Sequence, residues 1–457
     1  MKKFIGDKKF YKMLFIVVIP LVLQQIITQF VGLLDNLMIG QVGTSEMTGV
    51  SLANQLLFIV NLGIFGSLSG ISIFATQLYG AKNVKGYQET FRFKWIVAII
   101  IFIITTIVFI FFSENLLNFF INNEDTSDAN PIVVIKSAKL YLYIMIFGNL
   151  PFFIKEIYAT SLREMKETFV PMISGIIAIF VNLIFNYLLI FGHMGFPTLG
   201  VLGGAIATVI SRIVELAIVV IYVEIKKDKF TYFIHIFRGK VCFKSVKKML
   251  PKMVQLMANE VLWALGLTLI LSAYSYRGLG FVAAFNICNT VNNVFLTIGT
   301  SFGNATAIIL GNKLGEKDID GAKNSSYKIL AFSVVVSIIF SVLMICSSFI
   351  LPDLYNTSLE VKNTAKNLIF ISACFIPVHT FNTCCYFILR SGGKIILTIL
   401  FDSAFVLLIR VPLAYILSIF TPLNIYIIYT FCTGIDTINV FIGYILVDKG
   451  IWLKLLV

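Results

Sequence analysis

Runs of apolar residues recur along the chain and are separated by short polar segments. Twelve of these runs reach about 20 residues, the length of helix that crosses a hydrocarbon core about 30 Å thick. The pattern predicts an all-α integral membrane protein with twelve transmembrane helices. The first run is too long for a signal peptide and lacks a small-residue cleavage site, so we expect it to be retained. The predicted spans are 14–38, 50–74, 95–113, 134–160, 169–191, 201–223, 250–272, 279–310, 329–351, 365–389, 396–419 and 423–446.

The composition of the 457-residue chain agrees with that prediction. Apolar residues make up 58% of the chain and charged residues 13%, whereas soluble domains carry about 25% charged residues. This composition excludes a disordered chain, a disulfide-rich secreted module and a compact cytosolic enzyme. The cysteines show no C-x-x-C spacing and most lie in apolar runs, so we expect neither a disulfide nor a metal site from them. They are Cys242, Cys288, Cys346, Cys374, Cys384, Cys385 and Cys432.

The basic residues fall mostly in alternate loops. Of the 36 Lys and Arg residues, 29 are counted with the loops on one side of the twelve predicted spans and five with those on the other side, and Arg212 and Arg410 are counted inside spans. These loop counts include residues near the ends of spans, namely Lys136, Lys139, Lys155, Lys252 and Lys366. Basic loops stay in the cytoplasm, so this bias places both termini on the cytoplasmic face of a bacterial plasma membrane. Topology therefore accounts for the net charge of +13, and we expect no nucleic-acid partner.

The largest basic block lies halfway along the chain, between 224 and 252. It predicts a cytoplasmic linker, 224–249, between an N-terminal six-helix lobe, 1–223, and a C-terminal six-helix lobe, 250–457. Binding of anionic lipid headgroups is an alternative role for the same block.

Polar landmarks occur twice in the same order, which indicates an internal duplication. The pattern of polar and glycine residues in 77–86 returns 235 residues later in 312–321, and Pro20 is matched by Pro251 at an offset of 231. Two copies of a six-span unit have the same orientation, so we expect a pseudo-two-fold axis along the membrane normal. Further matched landmarks are Pro151 with Pro377 and Leu162-Arg163 with Leu389-Arg390.

Polar side chains at membrane depth are the candidates for function, because a charge at the centre of a membrane helix costs about 2.5–3.5 kcal/mol on insertion scales. In the first span Gln24, Thr28 and Asp35 recur at helical spacing, and Gln29 stands beside them. This polar face is expected to avoid lipid. An interfacial carboxylate that reaches water is the alternative interpretation of Asp35.

The fifth span carries two asparagines, Asn182 and Asn186, which are neighbours on one helix face. Their amide oxygens and the Asp35 carboxylate form a set of hard oxygens suited to Na+, or to a protonatable carboxyl held by amides. Packing between helices is the alternative role of the asparagine pair.

In the second half, Glu260 of the seventh span is the deepest unpaired carboxylate, with Gln255 and Asn259 nearby. The tenth span carries His379 and Asn382 three residues apart, and a neutral packing histidine is the alternative role of His379. The eighth span carries a polar stripe made of Asn286, Asn289, Asn292 and Asn293.

Further charges within the predicted spans include Arg212, Glu215, Arg410, Asp402 and Asp436. Arg212 and Glu215 are one helical turn apart, and we expect them to neutralise each other. Arg410, Asp402 and Asp436 are candidates for ion pairs between helices, and the sequence leaves their pairing open.

Signatures of enzymes are missing from the sequence. No P-loop, nucleophile elbow or H-E-x-x-H motif occurs, and three histidines are too few for a zinc centre. We therefore expect no enzymatic activity and no cofactor, and a Na+ or H+ gradient as the source of energy.

Four segments form an ordered set that spans both halves. They are Pro20 with Gly32-x-x-Asp35-Asn36-x-Met38-Ile39-Gly40, then Gln77-x-x-Gly80-Ala81, then Asn182-x-x-x-Asn186-x-x-x-Ile190-x-Gly192 with Pro197-x-x-Gly200-Val201-x-Gly203-Gly204-Ala205-Ile206-Ala207-Thr208, and Leu389-Arg390-Ser391-Gly392-Gly393. Together they resemble the multidrug and toxic compound extrusion (MATE) transporters over essentially the whole chain.

The resemblance implies two six-helix bundles around a V-shaped chamber, alternating access, and Na+- or H+-driven export of cationic amphipathic drugs. Asp35 matches the first-helix aspartate of the family, and Asn182 matches the asparagine of its fifth-helix cation site. Glu260 matches a seventh-helix glutamate of the NorM-like branch. Asn186 stands where DinF-like members carry an aspartate, and His379 stands where NorM-like members carry one.

We therefore expect a monomeric secondary active multidrug exporter that exchanges organic cations for Na+ or H+. The alternatives are a lipid-linked oligosaccharide flippase of the same superfamily, which needs several basic residues in its chamber, and a non-transporting receptor or scaffold. The predicted ion-coupling residues are Asp35, Asn182 and Asn186. The predicted substrate and second-lobe cation site comprises Glu260, Gln29, Asn289, Asn293, His379 and Asn382, and Na+ is expected at Asp35, Asn182 and Glu260 if it is the coupling ion.

Overall fold

A computed structural model of the chain describes residues 3–118, 130–231, 233, 241–355 and 357–456, without the side chains of 30–37, 40, 44, 279, 280, 282 and 354. Every regular element of the described residues is a helix. Twelve of the helical segments found there are long and apolar enough to cross a membrane. The predicted all-α class and the twelve predicted spans are therefore confirmed.

The first ten spans are formed by ten continuous helices. They are α1 (Lys8–Gly40), α2 (Thr44–Gly80), α3 (Val84–Asn118), α4 (Pro131–Glu164), α5 (Phe169–Phe191), α6 (Val201–Ile225), α7 (Phe243–Ser275), α8 (Leu279–Gly315), α9 (Ile319–Ser347) and α10 (Leu359–Ser391). The last two spans are segmented. The eleventh consists of α11 (Ile395–Phe401), α12 (Ser403–Phe405), a π-helical turn (Val406–Arg410) and α13 (Val411–Phe420), and the twelfth consists of α14 (Ile425–Gly434) and α15 (Asp436–Asp448).

Several helices are longer than the apolar runs that predicted them. Helices α2 and α8 have 37 residues each, or about 55 Å at 1.5 Å per residue, and so extend beyond the hydrocarbon core. Lys155, which was counted with the cytoplasmic loops, and Arg163, which lies beyond the predicted span 134–160, are therefore both inside α4. The matched landmarks Pro20 and Pro251 lie inside α1 and α7. Hydropathy detects the segment in lipid and misses the amphipathic turns that continue the helix.

Polar residues mark the points where several helices begin. Asn130, Asp318, Ser358 and Asn424 each accept a backbone N–H of the first turn through the side chain. These bonds satisfy donors that have no partner within the helix. Pro131 at the first position of α4 adds a residue that needs no N–H partner there.

The eleventh span is interrupted near its middle. At Asp402 the backbone leaves helical geometry, with φ −107° and ψ −90°, and a π-helical turn that ends at Arg410 follows. In the twelfth span the backbone of Ile435, directly before Asp436, keeps helical dihedrals (φ −59°, ψ −25°) and donates to the carbonyl of Phe431 at 3.0 Å, so the helix axis continues there. Discontinuous membrane helices and π-helical turns frequently mark functional sites in transporters. The break in the eleventh span lies at an acidic residue, Asp402.

The chain forms two compact units. Unit 1 comprises Met1–Ile26, Ile73–Asn83 and Met249–Val457, and unit 2 comprises Ile27–Ser72 and Val84–Lys248. Helices α1 and α2 thus contribute to both units. The two packed units therefore differ from the two lobes, 1–223 and 250–457, that the sequence predicts. The predicted lobes describe the duplicated halves of the sequence and stay a prediction.

Each unit has an apolar core of its own. In unit 1 the core includes Phe302, Ile376 and Trp452, all of them almost fully buried. In unit 2 it includes Val50 and Leu142. Large apolar side chains on the outer helix faces stay exposed, as expected where the surroundings are lipid.

The predicted duplication is visible in the turns after α2 and α8. Lys82 and Lys317, which are 235 residues apart, both adopt the left-handed backbone conformation, with φ of 54° and 63°. In both turns the lysine N–H donates to the carbonyl three residues earlier at 3.0 Å. The turns after α4 and α10 show the same relation at Lys166 and Gly393, which are 227 residues apart and have φ of 65° and 70°.

Candidate functional sites

The two asparagines of α5 form a buried chain of amides in unit 2. Asn186 donates through Nδ2 to Oδ1 of Asn182 at 3.1 Å, as the four-residue spacing predicts. Asn182 in turn donates to the hydroxyl of Thr208 on α6 at 3.4 Å, and that hydroxyl donates to the carbonyl of Gly204 at 3.0 Å. Asn182 and Asn186 are 5% and 2% exposed. The pair therefore joins two helices and holds amide groups inside the unit.

Asp35, the third predicted ion-coupling residue, lies on α1 and belongs to unit 2 with Asn182 and Asn186. Its side chain is outside the described residues. Gln29 also belongs to unit 2 and is half-buried. The other five residues predicted for the substrate and second-lobe cation site belong to unit 1.

Glu260 of α7 is joined to a second carboxylate through two polar side chains. The hydroxyl of Tyr386 on α10 donates to Oε1 of Glu260 at 3.5 Å. Asn259 donates through Nδ2 to the Tyr386 hydroxyl at 3.2 Å and to Oδ2 of Asp402 at 3.0 Å. The hydroxyl of Ser403 donates to Oδ1 of Asn259 at 2.6 Å, which fixes the orientation of the amide. Two carboxylates of unit 1 are thus linked by a continuous set of polar groups.

Arg390 supplies positive charge near these carboxylates. Its guanidinium carbon lies 5.0 Å from the ring centroid of Phe387 and 5.8 Å from that of Tyr386. Glu260 and Asp402 are both within electrostatic range of this arginine. Among the described residues, however, neither carboxylate forms an ion pair with it. Glu260 and Asp402 are therefore both influenced by the charge of Arg390.

Asp436 lies at the centre of a second polar group in unit 1. Arg410 forms an ion pair with its carboxylate at 3.2 Å, which settles the pairing that the sequence left open. Asn382 donates to the backbone carbonyl of Asp436 at 2.8 Å. His379, one turn before Asn382, is half-buried, and within the described part of the chain its Nδ1 has no hydrogen-bond partner. No described hydrogen bond connects His379 or Asn382 to Glu260.

The asparagine stripe of α8 divides into two environments. Asn292 is buried and donates to the hydroxyl of Ser372 at 3.2 Å, so it joins α8 to α10. Asn286, Asn289 and Asn293 are exposed. Polar side chains are costly against lipid. We therefore expect this face of α8 to meet water.

Unit 2 contains a cluster of charges that the sequence analysis misassigned. Glu215 pairs with Lys155 at 3.3 Å, and Lys155 also pairs with Glu156 at 2.6 Å. Arg212 instead donates to Oδ1 of Asn149 at 3.0 Å. Arg212 and Glu215 are within electrostatic range of each other, but the direct ion pair of Glu215 among the described residues is with Lys155. Side chains from α4 compete for both groups, and the sequence does not show which helix lies beside α6.

The expectation that Arg212 and Arg410 alone fall inside spans is also wrong. Lys94, Lys155 and Arg390 are buried on membrane-spanning helices as well. Lys94 is neutralised by Glu164 at 2.6 Å, and the hydroxyl of Tyr87 also donates to that glutamate at 2.8 Å. Burying these lysines is tolerable because each has a carboxylate partner.

Three residues of the polar groups were not singled out as site residues from the sequence. Thr208 stood in a quoted motif, and its position one turn before Arg212 was the available signal. Tyr386 gave no signal, because one tyrosine in an apolar run is an ordinary packing residue. Asp402 was noticed as a charge without a partner, and the sequence does not show that α7 supplies Asn259 to it.

The described residues contain no group of three or more His, Cys, Asp or Glu side chains that could hold a metal ion. The seven cysteines have free thiols. The groups available to a cation are therefore single carboxylates assisted by amides and hydroxyls.

Twelve membrane-spanning helices with polar groups buried inside them define a polytopic membrane protein of the transporter class. The MatE family matches residues 20–188 and 256–416, and the chain belongs to this family. MatE proteins are MATE multidrug efflux transporters rather than enzymes, and they act without a cofactor.

Known proteins resemble the chain over most of its length. It is 24% identical to a protein of Halalkalibacterium halodurans named "Probable multidrug resistance protein NorM", over 91% of this chain and 89% of that protein. It is 23% identical to "Probable multidrug resistance protein YoeA" of Bacillus subtilis, over 89% and 87% of the two chains. A solved structure described as the outward-facing conformation of a multidrug resistance MATE family transporter of the MOP superfamily matches with a TM-score of 0.86. That match covers 98% of both chains at 16% identity and shows the shared fold.

Proposed function

We propose that this protein exports cationic amphipathic compounds in exchange for Na+ or H+ by alternating access. The observation that carries the proposal is the environment of Glu260 on the membrane-spanning helix α7. Among the described residues its carboxylate forms no ion pair, and its hydrogen bond from Tyr386 is long, at 3.5 Å. A carboxylate at membrane depth is costly unless it serves a cation or a proton. Glu260 is therefore available to either.

In unit 2 we assign ion coupling to Asp35 together with Asn182 and Asn186. The buried amide chain of α5 supports this assignment, because amide oxygens can ligate Na+ and amide N–H groups can hold an ionised carboxylate. An asparagine at 186 adds no negative charge to this site. Asp35 would then be the group that gains and loses the proton or Na+.

In unit 1 we assign the organic cation to Glu260, with Asn289, Asn293, His379 and Asn382 as further polar groups of the same site, and Gln29 stays a prediction of the sequence. The exposure of Asn289 and Asn293 supports a water-facing site on α8. Glu260 is also the expected Na+ ligand of this unit.

Exchange of the organic cation for H+ or Na+ follows if the two compete for the negative charge of Glu260. When Glu260 binds H+ or Na+, the charge that attracts the organic cation is cancelled, and the cation is released. Because such coupling is reciprocal, binding of the organic cation must weaken binding of the ion by the same factor. Two conformations with opposite access convert this competition into export.

The basic loops support a location in the plasma membrane with both termini in the cytoplasm. The expected functional form is a monomer, with small organic cations and the lipid bilayer as its partners. The flippase alternative needs several unpaired basic groups, and the buried lysines Lys94 and Lys155 are both paired with carboxylates.

Reconstituted vesicles test the proposal. Purified protein in proteoliposomes should move ethidium against an imposed Na+ or H+ gradient. Asp35→Asn and Glu260→Gln should each lower the gradient-driven rate at least tenfold. Glu114→Gln is the control, because Glu114 is an exposed carboxylate paired with Lys139 at 2.8 Å, and it should keep the wild-type rate. Wild-type rates in both site variants, or ethidium movement that needs no gradient, would contradict the proposal.

A further inference from the structure

The segment that leads into α7 is basic and has no acidic residue of its own. Residues 229–259 contain seven Lys or Arg residues and no Asp or Glu. Three of the lysines, Lys244, Lys247 and Lys248, lie in the first two turns of α7 and are exposed. None of the three forms an ion pair among the described residues. The bias of basic residues toward cytoplasmic loops accounts for their presence, but it does not set their positions on a helix.

Lys247 lies on the exposed apolar face of α7. Leu250, Val254, Val261 and Leu265 follow it at helical spacing and are 43%, 44%, 46% and 49% exposed. Large apolar side chains that stay exposed along a membrane-spanning helix face the acyl chains of the lipid. Lys247 continues this stripe three residues before Leu250, or about 4.5 Å along the helix axis. Its ammonium group therefore lies where the acyl region gives way to the headgroups.

The first two turns of α7 combine an exposed aromatic ring with positive charge. Phe243 is four residues before Lys247 on the same stripe and is 80% exposed. Lys244 and Lys248 lie beside Lys247 on the helix surface, because they precede and follow it by three residues and one residue. Basic residues next to an exposed aromatic ring are typical of helices at the boundary between headgroups and acyl chains. The ring and the ammonium groups match the two chemical parts of a phospholipid.

Helix α3 holds both the chain before these lysines and the first turn of α7. The ring of Phe233, which is 4% exposed, packs edge-to-face on Phe91 with ring centroids 4.8 Å apart. The hydroxyl of Ser245 donates to a carboxylate oxygen of Glu89. Glu89 and Phe91 are two residues apart on α3. The lysines of α7 are therefore carried at a defined position beside α3.

We infer that Lys244, Lys247 and Lys248, together with the ring of Phe243, form a binding surface for phospholipids whose headgroup carries a net negative charge. The lysines attract the headgroup phosphate, and the ring packs on the acyl chain. This basic surface is separate from the polar groups assigned to the ion and the drug, and it goes beyond the proposed export function. The proposed orientation of the chain makes the leaflet the cytoplasmic one. A soluble phosphate shares the charge but has no acyl chain to cover the exposed apolar stripe.

Two lipids that differ in headgroup charge provide the test. Phosphatidylglycerol carries one negative charge and phosphatidylcholine has no net charge, and both are available with the same acyl chains. Native mass spectrometry of the purified protein in a neutral detergent gives the Kd of the first bound lipid. A lysine near an anionic surface contributes about 1 kcal/mol, or about fivefold in affinity. We expect the wild type to prefer phosphatidylglycerol, and the combined variant Lys244→Gln, Lys247→Gln and Lys248→Gln to reduce that preference at least tenfold.

The matched control combines Lys82→Gln, Lys313→Gln and Lys317→Gln. It removes the same charge from the ends of α2 and α8, where the backbone at Gly80 lies against that of Asn312 inside unit 1. These lysines do not continue an exposed apolar stripe of α7. The control should keep the preference for phosphatidylglycerol within about twofold of the wild type.

Two further variants separate charge from packing. Arginine at 244, 247 and 248 keeps the three charges, so it should keep the preference for phosphatidylglycerol. Phe243→Ser removes the apolar contact and should weaken both lipids at least threefold while the preference stays. Loss of the preference in the arginine variant would show that the glutamine variant acts through folding and would contradict a charge-based surface.

Three other outcomes would overturn the inference. The first is an equal preference in the wild type and in the combined glutamine variant. The second is a wild-type preference that does not fall when ammonium acetate is raised from about 0.05 M to about 0.5 M, because exposed charges are screened over that range. That measurement needs no variant. The third is glycerol phosphate that binds as tightly as phosphatidylglycerol, which would assign the basic surface to a soluble anion.

Discussion

Gly80 of α2 lies directly against the backbone of Asn312 of α8: a Cβ atom on Gly80 would be 2.0 Å from the Asn312 carbonyl oxygen. The relation is reciprocal, because a Cβ atom on Gly315 would be 1.9 Å from the carbonyl oxygen of Gln77. Gly80 and Gly315, like Gln77 and Asn312, are equivalent positions of the repeated motif. Reciprocal contact of equivalent residues is the property of a two-fold interface. The two copies of the motif therefore pack on each other within unit 1.

Alanine at either glycine should destabilise the protein. The added methyl group meets backbone atoms, which cannot rotate away as a side chain could, and overpacking of this kind costs about 1–3 kcal/mol. Gly80→Ala and Gly315→Ala should lower the midpoint of thermal unfolding in detergent. Gly63→Ala is the control on the same helix, because no heavy atom lies within 4 Å of its added Cβ. A midpoint as high in Gly80→Ala as in Gly63→Ala would contradict the close contact.

The side chain of Gln77 should hold the C-terminal segment in place. It is fully buried and donates to the carbonyls of Ser391 at 3.0 Å and Lys454 at 3.2 Å, and it accepts the N–H of Leu456 at 2.8 Å. Gln77→Leu leaves these backbone groups unsatisfied, at a cost of about 1–3 kcal/mol for each buried one. Hydrogen exchange at residues 452–456 should become at least tenfold faster.

The control for Gln77→Leu is Gln88→Leu, since Gln88 donates to one carbonyl, that of Thr231, at an exposed position. It should leave exchange at 452–456 unchanged. Equal exchange rates in the two variants would show that Gln77 does not retain the segment.

The ion pair of Lys94 and Glu164 should be strongly sensitive to removal of one partner. The two side chains are 1% and 3% exposed. Glu164→Gln leaves a buried ammonium without its carboxylate, and breaking a buried pair in this way costs about 3–5 kcal/mol. Replacing both residues, as in Lys94→Met with Glu164→Leu, should recover most of the stability in thermal unfolding.

The comparison for this pair is Glu114→Gln, which removes the exposed partner of Lys139. Exposed pairs contribute about 0–1 kcal/mol, so its unfolding midpoint should stay close to that of the wild type. Similar midpoints in Glu164→Gln and Glu114→Gln would contradict the burial of the first pair.

Asn259 should be needed for transport beyond its role in folding. Asn259→Leu removes the hydrogen bonds to Tyr386 and Asp402 and so disconnects Glu260 from the second carboxylate. We expect gradient-driven dye efflux to fall at least tenfold. Asn292→Leu removes a buried amide of the same unit that bonds to Ser372, and it should lose similar stability while keeping most of the transport. Equal losses of transport in the two variants would assign Asn259 a structural role alone.

The sequence predicted the spans well because each span satisfies its own backbone and faces lipid over about 20 residues. It also predicted the duplication, since the left-handed turn at Lys82 and Lys317 is set by neighbours in the chain. Charges were placed less well. Lys155 was counted with the cytoplasmic loops although it lies within the predicted span 134–160, because the sequence does not show that Glu215 of another helix neutralises it.

The candidate sites could be predicted in part. The hydrogen bond from Asn186 to Asn182 follows from a spacing of four residues on one helix. The link from Glu260 to Asp402 could not be predicted, because Asn259 and Asp402 are 143 residues apart and meet only where α7 packs beside the break after α11. The partner of Arg212 was misjudged for the same reason.

The sequence by itself determined that this chain is a twelve-span, duplicated membrane protein with both termini expected in the cytoplasm. Those properties depend on the transfer of local segments between water and lipid and on the charge of loops, and both can be read along the chain. The tertiary structure alone decided which buried charges are neutralised. Pairing at membrane depth depends on contacts of a few ångströms between helices. The tertiary structure therefore places Glu215 against Lys155, and Arg212 against Asn149.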